Sequence, residues 1–227
     1  MRLGNVAPAP RSSLVEAPSL FYAARPVRTR VATLLFFSGG CALVYQVAWL
    51  RELRLIFGAS TAASAAVLAI FMGGLGLGGA LLGRKADAAE QPLGLYARLE
   101  LGVAGVTLVT PLLVLLARGV YIAVGGASTL GDAGATVARL VLAVLVLGAP
   151  TFLMGGTLPA AARAVETHGD KGRSGVATLY GVNTFGAVCG AVLANFVLIE
   201  TLGTRLTLTV ACALNAAVAL VAWRMAK

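Results

Sequence analysis

GGLGLGGALLGRKAD, residues 73–87, supports two readings that lead to different proteins. Gly74, Gly76 and Gly79 meet the G-x-G-x-x-G spacing of a dinucleotide-binding loop, where a backbone approaches a pyrophosphate. Such a loop needs a strand before it and free N–H groups at a helix start. Here AAVLAIFM precedes the glycines and ALLG follows them, so one apolar helix runs through and uses those N–H groups internally. In hydrocarbon they have no other partner. No carboxylate on a second strand follows to hold a ribose, and Glu100 lies in the next apolar block. The nucleotide reading is rejected, and no cofactor is expected.

The composition agrees. Of 227 residues, 59% are hydrophobic and 12% charged, about half the charge density of an ordinary soluble domain. The apolar residues come in long blocks, as membrane spans do. The fold class is therefore an all-α integral membrane protein. Its net charge of +9 comes from bases at block ends, with no aromatic-interleaved stripe, so nucleic acid is excluded and the anionic membrane face is the expected partner.

Residues 1–30 read as a basic, loosely ordered N-terminal tail without the apolar core of a signal peptide. A transmembrane domain over 31–224 follows, with six spans at about 31–50, 57–83, 96–117, 138–156, 175–199 and 204–223. Residues 225–227 form the C-terminus. With the N-terminus inside, 13 Lys and Arg residues fall on the cytoplasmic side and 5 outside, which places both termini in the cytoplasm.

The glycines recur as G-x-x-x-G pairs: Gly74/Gly78, Gly79/Gly83 and Gly186/Gly190. Small residues at this spacing let helix backbones approach closely in a membrane. The pair in the second block echoes the pair in the fifth. If spans 1–3 and 4–6 are repeats, an odd number of helices in each makes their topologies inverted.

Polar residues inside the blocks are few. Tyr45, Gln46 and Trp49 lie in the outer half of the first, Tyr180, Asn183 and Asn195 in the fifth, and Asn215 in the sixth. These are the candidate substrate-lining residues, with interhelical hydrogen bonding or, for Tyr45 and Trp49, anchoring at the membrane interface as the plainer roles. Glu100 joins them, although its position reads as interfacial, with Arg98 snorkelling nearby. In the fourth block Pro150, Gly155, Gly156 and Pro159 mark a helix break, read as a kink at Pro150 and a fresh helix starting at Pro159.

No catalytic set emerges. Cys41, Cys189 and Cys212 sit in apolar blocks without C-x-x-C spacing, and the only histidine, His168, is remote from them, so neither a metal site nor a catalytic residue is expected.

FFSGGCALVYQVAWLRELRLIFG, FMGGLGLGGALLGRKAD, YARLELGVAG, PTFLMGGTLP and LYGVNTFGAVCGAVLANFVL together resemble the membrane domain of the bacterial spermidine-synthase-like proteins, over residues 35 to about 223. The resemblance implies a multi-pass protein of the bacterial inner membrane, joined to a cytosolic aminopropyltransferase-like domain of methyltransferase fold. Residues of that enzyme have no counterpart up to Lys227, so none is carried over. The resemblance thus implies an anchor, scaffold or partner subunit for a soluble methyltransferase-fold enzyme, on a fragment or a free-standing module; a homo-oligomer is a separate expectation. The alternative is a transporter of a small solute, such as a polyamine, built from two three-helix halves.

Overall fold

The computed structural model describes residues 17–58, 61–166 and 174–227, and among them every regular element is a helix. The elements are α1 (Ala17–Phe57), α2 (Thr61–Asp87), α3 (Pro92–Ala123), α4 (Gly126–Val165), α5 (Ser174–Leu193), a π-helical turn (Ala194–Leu198) and α6 (Ile199–Ala226). α1 begins at Ala17, so residues 17–30 are helical where a loose tail was expected; residues 1–16 lie outside the described residues. His168 lies outside them too.

Five continuous helical stretches are long and apolar enough to cross a membrane: Val27–Arg54, Ser64–Asp87, Pro92–Ala123, Gly126–Val165 and Gly175–Ala226. The last is 52 residues long, because α5, the π turn and α6 follow one another without a loop. It is broken at Gly203, whose φ of 72° and ψ of 168° are not helical. The Thr207 hydroxyl donates to the Gly203 carbonyl at 2.8 Å where helicity resumes. Large apolar side chains such as Leu108, Leu112 and Leu116 on α3, or Phe185, Val188 and Phe196 on α5 and the π turn, point outward, as a lipid-facing surface requires.

Glycines decide which helices touch. α2 packs on α4 along Gly74 and Gly78: a Cβ on Gly74 would overlap the Thr151 side chain, and one on Gly78 the Phe152 carbonyl. From the other side, Gly155 rests on the α2 backbone, where a Cβ would fall 2.6 Å from the Gly79 nitrogen. α5 packs on α1 in the same manner: Gly186 meets the Phe36 carbonyl and Gly190 the Gly40 carbonyl. Gly83 makes only ordinary contact with the Pro159 ring, and Gly76, the middle glycine of the rejected nucleotide spacing, faces open space.

These contacts correct the expected helix break. α4 is continuous from residue 132 to Val165, through Pro150, Gly155, Gly156 and Pro159, and its one non-helical residue is Gly131 (φ 65°, ψ 176°). The Thr151 and Thr157 hydroxyls donate to the Leu147 and Met154 carbonyls of their own helix, on the turns beside the prolines. Gly155 and Gly156 serve close packing, the latter against Leu82 and Leu99.

Candidate functional site

A polar layer crosses the bundle between two apolar clusters. Leu35, Leu99, Ala160 and Val218 belong to one cluster, and Cys41, Val103, Met154 and Cys212 to the other. Between them, on α1, α3, α4 and α6, lie Ser38, Glu100, Thr157 and Asn215, all buried. The spacing explains the layer: each side chain is within a turn of its apolar neighbours on the same inward helix face.

Glu100 is the centre of this layer. It is 1% exposed, roughly 12 Å along α3 from Pro92 at the helical rise. The Ser38 hydroxyl donates to its Oε1 at 2.5 Å, and the Asn215 side-chain amide donates to its main-chain carbonyl at 2.9 Å. α1, α3 and α6 are thereby tied together. This corrects the interfacial reading of Glu100. Arg98 is exposed and donates to the Gly94 carbonyl of its own helix, so it does not answer the carboxylate. The only ion pair among the described residues is the exposed Arg163–Glu166 contact at 2.7 Å.

Beside Glu100 lies a cavity of about 380 Å³, within the size range of small-molecule sites. All six helices contribute to its lining. α5 contributes Tyr180, Asn183 and Thr184, while α2 contributes Phe71, Met72 and Leu75. Tyr45 lines it as well and is fully buried; its hydroxyl, with the Cys212 thiol beside it, has no hydrogen-bond partner. The Tyr96 hydroxyl is likewise buried near Glu100 and Ser38 without completing a hydrogen bond. Orphaned buried hydroxyls are uncommon and costly, and a ligand or water is the usual remedy.

The structure thus brings together Tyr45, Glu100, Tyr180, Asn183 and Asn215 from the sequence candidates. It leaves out three. Gln46 is half-buried outside the cavity, and Asn195 is exposed on the π turn, bonded to the Ala191 carbonyl at 3.0 Å. Trp49 is 1% exposed and donates to the Thr110 hydroxyl at 2.9 Å, with Tyr45 stacked on it at 5.6 Å between ring centroids. Tyr45 and Trp49 are core residues, and the interfacial-anchor reading of both is corrected. Ser38 and Thr184 went unnoticed in the sequence, and Thr157, read there as a cap for a helix starting at Pro159, lies inside α4 and lines the cavity. A signal existed for Ser38 and Thr157: F-x-x-G-G occurs at Phe36–Gly40 and again at Phe152–Gly156, so each sits in or beside a packing motif.

Among the described residues no group of three or more His, Cys, Asp and Glu side chains converges as metal ligands would. The chemistry on offer is a buried carboxylate with neutral hydrogen-bonding groups around it, which suits recognition of a polar or cationic group. Compared with family models, curated proteins and solved structures, the chain matches none.

Proposed function

We propose that this chain binds a small solute in the cavity beside Glu100 and carries it across the membrane. The observation behind the reading is a fully buried carboxylate, without a basic partner among the described residues, on the wall of a cavity between the helices. An acid held at depth is costly, roughly 2.5–3.5 kcal/mol on insertion scales, and such residues mark solute, ion or proton pathways.

The route follows from six spans arranged as inverted halves, α1–α3 and α4–α6, with α6 counted separately beyond Gly203. Three facts support this arrangement. F-x-x-G-G recurs in α1 and α4, the glycine pair of α2 recurs in α5, and α2 packs on α4 as α5 packs on α1. α3 and α6, the third helix of each half, pack against each other. Inverted halves enclosing a site are the basis of alternating access, in which one half rocks against the other. The excess of basic residues on one side supports cytoplasmic termini.

The test is uptake into vesicles holding the purified protein, using a panel of labelled small amines and other organic solutes. Uptake above empty vesicles that is lost in Glu100→Gln, at equal protein abundance, supports the reading. A second reading, membrane anchor for a soluble methyltransferase-fold enzyme, rests on the order of the motifs that resemble the spermidine-synthase-like proteins. Uptake no different from empty vesicles, with such an enzyme recovered by crosslinking to Lys227 in native membranes, would replace the first reading by the second.

A further inference from the structure

We infer that the ligand of this cavity is a singly charged amphiphilic amine, one ammonium group on a hydrocarbon body; this rests on the solute-binding reading above. Glu100 is the one charged side chain among the described residues that line the cavity. It can neutralise one cationic centre and no more. Around the cavity, α2 and α5 share no packing contact among the described residues, and they contribute unlike chemistry. α5 offers the neutral polar groups of Tyr180, Asn183 and Thr184, whereas α2 offers Phe71, Met72 and Leu75.

An ammonium at Glu100 gains a counter-charge and donates to oxygens nearby. The rest of the molecule then meets the α2 wall, where a hydrocarbon chain loses water and gains contacts. A second ammonium lying against buried Phe71 and half-buried Leu75 would be desolvated without a partner, which strongly disfavours it. A neutral alcohol of the same shape would leave the carboxylate unanswered. One acid with one apolar wall therefore selects a monoamine over both a diamine and an alcohol.

Trp49 stacks on Tyr45, whose ring lines the cavity, so its fluorescence reports occupancy once Trp223, the other tryptophan of the chain, is changed to Phe. The purified protein is titrated in detergent with hexylamine, hexan-1-ol and 1,6-diaminohexane, and again as Glu100→Gln. We expect hexylamine to bind about tenfold or more tightly than either other probe, the scale of a hydrogen bond to a charged group, and to lose that advantage in Glu100→Gln. Diamine binding equal to or tighter than hexylamine overturns this inference while leaving a cation site in place. Hexan-1-ol binding equal to hexylamine overturns it also, because the carboxylate then recognises nothing. Failure of every probe to bind, together with no vesicle uptake, removes the solute site itself. If Glu100→Gln does not fold, the order of the three probes on the otherwise native chain still decides.

Discussion

The α2–α4 and α1–α5 helix pairs are closed by the same device and open onto the cavity with different chemistry. In each pair two glycines four residues apart pack at an F-x-x-G-G segment: Gly78 against the Phe152 carbonyl with Gly74 against the side chain of Thr151 just before it, and Gly186 and Gly190 against the Phe36 and Gly40 carbonyls. Toward the cavity, α2 turns Phe71, Met72 and Leu75, and α5 turns Tyr180, Asn183 and Thr184. Packing is repeated and polarity is not. The shared part is the close backbone approach of the helices, and the differing part is the wall each pair turns to the cavity.

The strongest way to break that comparison is to open either seam. Gly78→Leu and Gly190→Leu each drive a side chain into a backbone carbonyl, which cannot withdraw as a flexible side chain would. Overpacking of this kind costs about 1–3 kcal/mol or more, so both variants are expected to lose most of their folded protein, seen as aggregation in detergent size-exclusion chromatography. A normal profile for one variant and not the other would show that the seams are unequal.

Glu100→Gln should leave the seams intact and act on the cavity alone. Loss of a charged partner is worth about 1.5–3 kcal/mol, so binding of a cationic probe should weaken roughly 10- to 100-fold. Equal binding at normal folded yield would mean that the carboxylate only ties α3 to α1 through Ser38.

The two walls give a finer test. Asn183→Ala removes one neutral hydrogen-bonding group and should weaken binding of a polar probe about 2- to 10-fold. Phe71→Ala on the opposite wall should instead weaken probes in proportion to their alkyl length, about 0.8 kcal/mol per methylene lost from contact. Identical responses to both substitutions would erase the distinction between the walls.

The smallest effect is expected at Trp49→Phe. It removes the bond to Thr110 while most of the aromatic packing remains, and Thr110 still donates to the Thr107 carbonyl at 2.7 Å. Interhelical bonds of this kind contribute about 0.6 kcal/mol on average in membrane bundles, so the melting temperature should fall by a few degrees. A larger fall would place Trp49 among the seam residues.

Much of this architecture is legible in the residue order because apolar blocks long enough to cross a membrane constrain it so strongly. Blocks of apolar residues must be helical to satisfy their own backbones, and the glycine pairs at helical spacing mark where helices meet. The two positions that leave helical geometry, Gly131 and Gly203, were harder to see among many glycines, and the prolines of α4 were misleading. Pro150 and Pro159 look like breaks in a linear reading, but α4 keeps helical backbone angles through both, with Gly78 and Gly79 of α2 packed close beside Phe152 and Gly155.

By itself, then, the sequence determined an all-helical chain suited to a membrane, the contacts its small residues permit, and a short set of polar residues within apolar blocks. Only the tertiary structure decided which of those polar residues meet. Ser38 reaches Glu100 across 62 positions of chain, and Asn215 reaches it across 115. Position along one helix placed Glu100 near a membrane face, but burial is set by the neighbours that pack around a residue, and these come from α1 and α6. The same reason governs the cavity: it is the space left where six helices with glycine-limited approaches fail to close, and no single helix carries a record of it.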